Sequence, residues 1–302
     1  MLLLVLCVAI AAVIVGYALL RRYARDLLRA RGRRSDRTPA SMSLDAEPFE
    51  LARGGDTRAD ARADARLRGW LVRAGPGPRP TLLFAHGWHS HAGDMLLWAE
   101  PIVRAGFHAI IYDALGHGES DPVEFTSIRH LRDDLRAVTV WAQRHPLAAP
   151  GLFLFGHSMG GAVSILVAAE GAPVQGVIAA GAPTDAVEVA REYLESKGMP
   201  GALLLRLLLP FWRPIVAERA EALRPVRRIE DVAVPVLLLH GTEDRQVSAQ
   251  HARELSLAHP RARLELFEGA DHYSVPRDAR YARVVREFVD RALREQALGA
   301  AG

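Results

Sequence analysis

Most apolar residues of the chain fall into short, nearly continuous runs: "TLLFAHG", "HAIIYDALGHG", "LFLFGHS", "VQGVIAAGAP", "VPVLLLHG" and "ARLELFEGA", each ending in glycine or a polar residue. Runs apolar at consecutive positions are buried on both faces, as the strands of a parallel sheet are. Stretches with helical spacing lie between them, for example residues 128–144 and 159–170. Strand–helix alternation predicts a mostly parallel, doubly wound α/β sheet, with functional residues gathered beyond the C-terminal ends of the strands. Upstream, "FELARGG" and "ARLRGWLVRAG" look like a short antiparallel hairpin, with Gly54 and Gly55 as turn signals. The domain is expected over residues 49–298. One insertion interrupts the alternation. Residues 185–230 are helical in composition and contain "ALLLRLLLPFW", and their length and position suggest a short helical cap over the sheet edge.

The N-terminus has a different pattern. Residues 2–20, "LLLVLCVAIAAVIVGYALL", contain no charge. At ~1.5 Å per residue, a helix of this length spans the hydrocarbon core of a bilayer. A cleaved signal peptide would want a positive n-region, a shorter run and an A-x-A-like exit. Here no Lys or Arg precedes the run, and Arg21 and Arg22 close it. The expectation is a retained transmembrane helix over residues 1–21, followed by a basic juxtamembrane segment and linker over residues 22–48. The arginines lie on its C-terminal side, so the positive-inside rule predicts a single-pass membrane protein with the following domain in the cytoplasm. Arginines in that position also contact anionic headgroups.

Composition changes this picture little. The chain of 302 residues, 50% hydrophobic and 24% charged, is long enough for one large α/β domain with a filled core. A net charge of +3 suggests nucleic acid until the charge is located. Residues 21–37 carry eight Arg against two Asp, and the rest of the chain has 30 basic and 33 acidic residues, near −3. The basicity is a local patch, and nucleic acid is set aside as a partner. The single cysteine, Cys7, lies in the apolar run, which excludes an intramolecular disulfide and is compatible with a reducing compartment. No Cys/His spacing suggests zinc.

Candidate chemistry centres on residues 152–164, "LFLFGHSMGGAVS". A serine on a sharp strand-to-helix turn leaves little room for neighbouring side chains. Gly156 and Gly160 relieve that crowding, and Gly161 lets the helix sit close to the sheet. Such a turn exposes Ser158 Oγ and places the Met159 N–H at a helix N-terminus, where negative charge is stabilised. The five-residue pattern alone is weak, because a serine also caps ordinary turns. Serine becomes a nucleophile when a base takes its proton and an acid orients the base. "VPVLLLHGTEDRQV" supplies Asp244 after a later strand, and "ARLELFEGADHYS" supplies His272 after the last one. Glu243 and Asp185 are the less favoured acids.

In order and spacing, "HGWHS", "YDALGHGES", "GHSMGG", "HGTEDRQV" and "GADHY" resemble the serine hydrolases of the α/β-hydrolase superfamily. The similarity is greatest to the esterase, lysophospholipase and monoacylglycerol-lipase-like branches with a short cap. The resemblance implies an α/β-hydrolase fold with Ser158 as nucleophile, His272 as general base and then acid, and Asp244 as orienting acid. His86-Gly87 corresponds to the oxyanion loop, so the Trp88 N–H would join the Met159 N–H in holding the oxyanion. The implied activity is cleavage of a small-molecule or lipid carboxylic ester through an acyl-enzyme, with no cofactor and no metal. The same triad also serves amides, peptides, thioesters and acyl transfer. A non-catalytic interaction protein on this scaffold is the reading from another class, and the intact triad speaks against it.

His157 and Trp88 are candidate substrate contacts near the pocket mouth, with His89 and His91 beside them. His86, His117 and Asp113 read first as residues that order loops. Many members of the superfamily carry glycine where this chain has Asp271; facing His272, this carboxylate would favour the imidazolium and raise the pH optimum. Residues 203–212, "LLLRLLLPFW", read as a cap helix burying its own apolar face, with an acyl-chain wall or a membrane-dipping lid as the functional alternatives.

Overall fold

The structure, a computed structural model, describes residues 1–30, 35–54, 64–148, 151–216 and 220–300, with only the backbone for residues 2–5, 8, 9, 213–216, 220, 299 and 300. Its strands are β1 (Asp45–Ala52), β2 (Arg66–Arg73), β3 (Thr81–Ala85), β4 (His108–Asp113), β5 (Leu152–His157), β6 (Gly176–Ala180), β7 (Val236–Gly241) and β8 (Arg263–Phe267). The helices are α1 (Leu2–Leu28), α2 (Ala92–Arg104), α3 (Ile128–Gln143), α4 (Met159–Ala169), α5 (Ala186–Ser196), α6 (Gly201–Val216), α7 (Pro225–Arg228), α8 (Ala249–Ala258) and α9 (Tyr281–Ala300).

The strands form one eight-stranded sheet in the order β1-β2-β4-β3-β5-β6-β7-β8. The β1–β2 hairpin is antiparallel, β2 runs antiparallel to β4, and the remaining pairs are parallel. The apolar runs coincide with β3 to β8. Strands β3, β4, β5, β6 and β7 are buried along their whole length, which is why no polar residue interrupts the apolar pattern before their ends. The edge strand β8 is only half-buried, so Arg263 and Glu265 alternate with Leu264 and Leu266. Helices α3, α4 and α8 pack one face of the sheet, and α2 and α9 pack the other. The strand order reverses around β3, placing the loops after β3, β4 and β5 side by side at one end of the sheet.

The hairpin begins earlier than expected: β1 starts at Asp45, inside the segment read as linker. Gly54 takes the left-handed conformation of its turn (φ +63°), and Gly55 lies outside the described residues. Beyond β1, Arg53 Nε lies 2.6 Å from Asp134 Oδ1 on α3, and both side chains are nearly inaccessible to solvent. The Asp134 carboxylate also accepts a 2.9 Å hydrogen bond from the Leu115 N–H, which ties the hairpin, α3 and the loop after β4 together.

The expected cap is present as α5, α6, a 3-10 turn at Ala220–Leu223 and α7. Within α6, Leu205 and Leu208 are buried, whereas Leu203 and Leu207 are 56% and 46% exposed. The helix therefore buries one apolar face and leaves a second one in contact with solvent.

The N-terminus departs from expectation. Helix α1 does not stop at Arg21 but continues to Leu28, and its last turns belong to the domain. Ala24 is fully buried, and its carbonyl accepts a 2.8 Å hydrogen bond from the Trp212 indole of α6. The Tyr17 and Phe211 rings are 5.2 Å apart. Thr126 N–H donates to Leu28 O, and Ala30 N–H donates to Glu124 O. Residues 22–30 are thus a docked helix end, held by partners far away in sequence. Residues 31–34 of the expected linker lie outside the described residues. Among the described residues no helix is long and apolar enough to cross a membrane, so the transmembrane helix expected over residues 1–21 is not found there.

Removing one partner of a buried ion pair leaves an uncompensated charge, at a cost of about 3 kcal/mol or more. Arg53→Met is expected to lower unfolding stability by about that much, and adding Asp134→Asn, which keeps an acceptor for the Leu115 N–H, is expected to recover part of it. Urea unfolding of the two variants checks this; a single-variant loss under about 0.5 kcal/mol would show that the pair does not hold the hairpin.

Candidate active site

The turn after β5 places Ser158 at φ +56°, ψ −123°, strained for a residue with a side chain, and its N–H donates to Ala180 O of β6 at 2.8 Å. The glycines around it are required by close approach. A Cβ on Gly156 would lie 2.0 Å from Gly160 O, and one on Gly160 would lie 2.0 Å from Ala85 O. Helix α4 starts at Met159, so its first N–H groups point into the space beside Ser158. From the other side, Gly87 lies over the serine: a Cβ there would stand 3.1 Å from Ser158 Cβ and 3.5 Å from Oγ. Among the described residues, neither the Trp88 N–H nor the Met159 N–H has a hydrogen-bond acceptor.

The two predicted partners of the serine meet behind this turn. His272 Nδ1 and Asp244 Oδ2 are 2.6 Å apart, with both side chains almost wholly buried. Asp244 Oδ1 accepts from the Gln246 and Val247 N–H groups, each at 2.9 Å. Burial raises the Asp244 pKa, but hydrogen bonds from His240, His272 and the Val247 backbone outweigh it and hold the carboxyl well below the usual carboxylate range. An ionised Asp244 fixes the proton of His272 on Nδ1 and leaves Nε2 as the basic nitrogen. The other acids are occupied elsewhere. Asp185 caps α5 by accepting from the Val187 N–H at 2.7 Å and pairs with Arg224, while Glu243 is exposed.

Several residues take other roles than the sequence suggested. His157, read as a substrate contact, is buried. Its ring stacks on Trp98 with centroids 4.5 Å apart, and its Nε2–H donates to the His272 carbonyl at 2.8 Å. It clamps the serine turn to the histidine loop. His91 caps α2 by accepting from the Asp94 N–H at 3.2 Å, so it too is a structural residue. The Asp271 carboxylate accepts from the Tyr273 N–H at 2.9 Å, and this turn contact holds its pKa down. Trp88 is half-buried and packs on the α3–α4 core, with the His89 ring 5.3 Å away.

His86 orders its loop as expected: its Nδ1–H donates to Gly87 O at 2.8 Å, and its Nε2 accepts from the Ala114 N–H at 3.0 Å. Asp113 likewise accepts from the Ala92 and Glu119 N–H groups. Two contributors escaped the sequence reading. His240 on β7 donates to Val247 O at 2.8 Å and reaches Asp244 Oδ2 at 3.3 Å, bracing the acid from behind. Gly181 (φ +57°) makes room for the His272 imidazole, since a Cβ there would come within 3.2 Å of His272 Cε1. The only signal for either was a His or Gly at the end of a strand run. A groove of about 340 Å³ opens between α5 and α6, lined by Val187, Arg191, Leu205 and Leu209 among others, and none of its lining residues belongs to the triad.

Comparison with known proteins agrees with this fold. Residues 76–221 match the family described as Serine aminopeptidase, S33; the match includes Ser158 and the loops around it but ends before Asp244 and His272. The "Alpha/beta hydrolase domain-containing protein 17C" of Xenopus laevis is 28% identical over 228 residues, covering 74% of this chain and 65% of that protein. The human protein of the same name is also 28% identical, with 76% and 64% covered, so the chain spans just under two thirds of these relatives. An esterase of Pyrococcus furiosus superposes with a TM-score of 0.68 at 19% identity, over 87% of this chain and 98% of that one. The chain has the α/β-hydrolase fold and is similar in sequence to members of that superfamily. Escherichia coli (strain K12) has a further relative, the "Uncharacterized protein YfhR", 28% identical over 75% of this chain and 76% of that one.

Three buried imidazoles of this hydrolase-fold chain give it a pH signature. Burial pushes His86 and His117 down to about 4, and burial with the neighbouring His272 pushes His157 to about 3. All three stay neutral in the fold at pH values where the unfolded chain, with histidine pKa near 6.5, takes up protons. The unfolded state therefore binds more protons below that pH, and stability falls as pH drops from about 6.5 towards 4. Urea unfolding midpoints measured across this window are expected to decline steeply. His157→Gln, which keeps a donor for the His272 carbonyl, is expected to make the decline shallower by about one proton, or ~1.4 kcal/mol per pH unit. Parallel curves would show that His157 is not the buried neutral group described.

Proposed function

We propose that this chain is a serine hydrolase that cleaves carboxylic esters through an acyl-enzyme, held at a membrane by α1. The observation that carries the reading is the buried 2.6 Å contact between His272 and Asp244, set behind a strained Ser158 that Gly87 overhangs. His272 Nε2 takes the Ser158 hydroxyl proton as Oγ bonds to the ester carbonyl carbon. The Trp88 and Met159 N–H groups hold the resulting oxyanion. The C–O bond to the leaving alcohol then breaks, and His272 returns the proton to that alcohol. Water repeats the sequence, with His272 as base, and releases the acid. These steps need no metal or organic cofactor.

The substrate is a small or lipid ester. The apolar wall of α6 and the Tyr17 ring of α1 that packs on it favour an acyl chain. The membrane part of the reading rests on the charge-free residues 2–20 and the arginines that follow them. The matched family's description raises a second reading, removal of an N-terminal amino acid from a peptide. That reaction needs a carboxylate free to bind a substrate ammonium. Four described acids of the cap are already engaged: Asp185 with Arg224, Glu188 and Glu195 with Arg191, and Glu192 with His251. Ester cleavage is the better-supported reading.

The full chain in a nonionic detergent is expected to react covalently with a fluorescent fluorophosphonate and to turn over p-nitrophenyl esters. Ser158→Ala is expected to abolish labelling and cut turnover at least ~1,000-fold. Undiminished turnover by that variant would refute the assignment of the nucleophile. Asp244→Asn, which leaves the imidazole without its orienting charge, is expected to lower kcat ~1,000-fold or more with little change in KM. An amino-acid p-nitroanilide cleaved faster than any ester in the panel would favour the peptidase reading.

A further inference from the structure

Positive charge walls a second cavity, remote from the triad. A pocket of about 480 Å³ opens between the end of α1 and the loop before α3, lined by Tyr17, Arg21, Arg22, Arg25, Arg29 and Glu124 among others. Helical spacing puts Arg22 and Arg25 on one face of α1, with Arg21 beside them, and Arg29 follows at the extended C-cap. Two of the four guanidinium groups are partnered: Arg25 lies 3.2 Å from Glu124 and stacks over Phe125, and Arg29 lies 3.7 Å from Asp26. Among the described residues no carboxylate is within ion-pair distance of Arg21 or Arg22. The wall therefore carries an excess of about two positive charges facing a concavity.

This wall is not a loose basic tail. The end of α1 is pinned by Ala24 O to the Trp212 indole, by Leu28 O to the Thr126 N–H, and by the bridge between Arg29 and Phe125. The backbone that carries the arginines is therefore fixed before any ligand arrives, which lowers part of the ordering cost of binding an anion. The pocket's place along the helix also matters. It begins where the uncharged run of residues 2–20 ends, and Tyr17, an aromatic residue of the kind that sits at a lipid–water boundary, is on its rim.

We propose that this pocket binds the phosphate of an anionic phospholipid headgroup. The assignment rests on the reading of α1 as a membrane anchor, which sets the arginines at headgroup depth. The phosphodiester accepts hydrogen bonds from the Arg21 and Arg22 guanidinium groups, while Arg25 keeps its pair with Glu124. A free phosphate ion offers the same chemistry, and the test separates the two.

The full chain in a nonionic detergent is titrated with dioctanoyl phosphatidylglycerol or dioctanoyl phosphatidylcholine, and retained lipid is counted by native mass spectrometry. The expected result is at least about 10-fold tighter retention of phosphatidylglycerol. Arg21→Gln/Arg22→Gln is expected to erase that preference, and Arg253→Gln/Arg291→Gln, on the distant helices α8 and α9, to leave it intact. Equal retention of the two lipids, or a preference that survives the Arg21/Arg22 substitutions, would overturn the proposal. Displacement of phosphatidylglycerol by an equal concentration of inorganic phosphate would also overturn it, by identifying a free-phosphate site. Carbonate-resistant association with neutral phosphatidylcholine liposomes reports separately on the anchor. Lost insertion with the lipid preference kept supports the pocket and removes the anchor; intact insertion without preference removes the pocket alone.

Discussion

The site depends on how closely helix α4 is allowed to approach the sheet. With Gly156 and Gly160, the backbone of the first turn of α4 meets β5 and the end of β3 at distances where no Cβ fits. That approach forces Ser158 into a conformation few side-chain-bearing residues adopt, and the cost, on the order of 1–3 kcal/mol, is offset by the packing around it. Several other positions follow from the same contact. Ser158 is hydrogen-bonded to β6 through Ala180, overhung by the β3 loop through Gly87, and followed at once by the N-terminus of α4. Gly161 continues the pattern, since a Cβ there would stand 2.8 Å from Ala182 Cβ. One tight turn thus sets the serine's spacing to the loops of two neighbouring strands and to its own helix, which a wider turn with an alanine could not do.

Around that turn the chain repeatedly uses buried histidine as a backbone fastener. A neutral imidazole carries one donor and one acceptor about 2 Å apart on a rigid ring, so it can join two loops that have no ladder between them. His86 joins the β3 loop to Ala114, His157 joins the serine turn to the histidine loop, and His240 joins β7 to Val247 beside Asp244. His108 does the same at the opposite end of the sheet, accepting from Ala74 and donating to Gly77. Burial keeps His86 and His157 uncharged near neutrality, so the fasteners hold their tautomers while His272 faces the ionised Asp244. The arrangement gives the site rigidity without adding charge to it.

Much of this was legible because its causes are local. Continuous burial wrote β3 to β7 into the sequence as unbroken apolar runs, and close approach wrote the serine turn as paired glycines. Chain order then sufficed to select Asp244 and His272, whose contact spans 28 residues. What stayed hidden is set by partners remote in sequence. Nothing near His157 announces Trp98 or the carbonyl of His272, so an imidazole next to Ser158 reads as a pocket residue although its ring is stacked and hydrogen-bonded inside the fold. Asp271 misled for the opposite reason: the nearest backbone N–H, that of Tyr273, claims its carboxylate before His272 can. The segment expected as a linker from residue 22 begins as the end of α1, whose Ala24 carbonyl accepts from Trp212, 188 residues further along.

The docked end of α1 changes what the N-terminal segment is physically. A tether leaves the domain free to tumble, and its length decides only how far the domain reaches. Here the helix enters the fold without an intervening linker. Its carbonyls at Ala24 and Leu28 satisfy an indole of the cap and a backbone N–H ahead of α3, and Arg25 lies over Phe125. Removing the segment would therefore leave Trp212 without its acceptor and Phe125 without its cation. It follows that the orientation of α1 is also the orientation of the cap. Whatever surface holds the first twenty residues also fixes where the exposed Leu203 and Leu207 of α6 point. The placement of the first helix and that of the cap become one geometric property of the chain, encoded in the contacts between them.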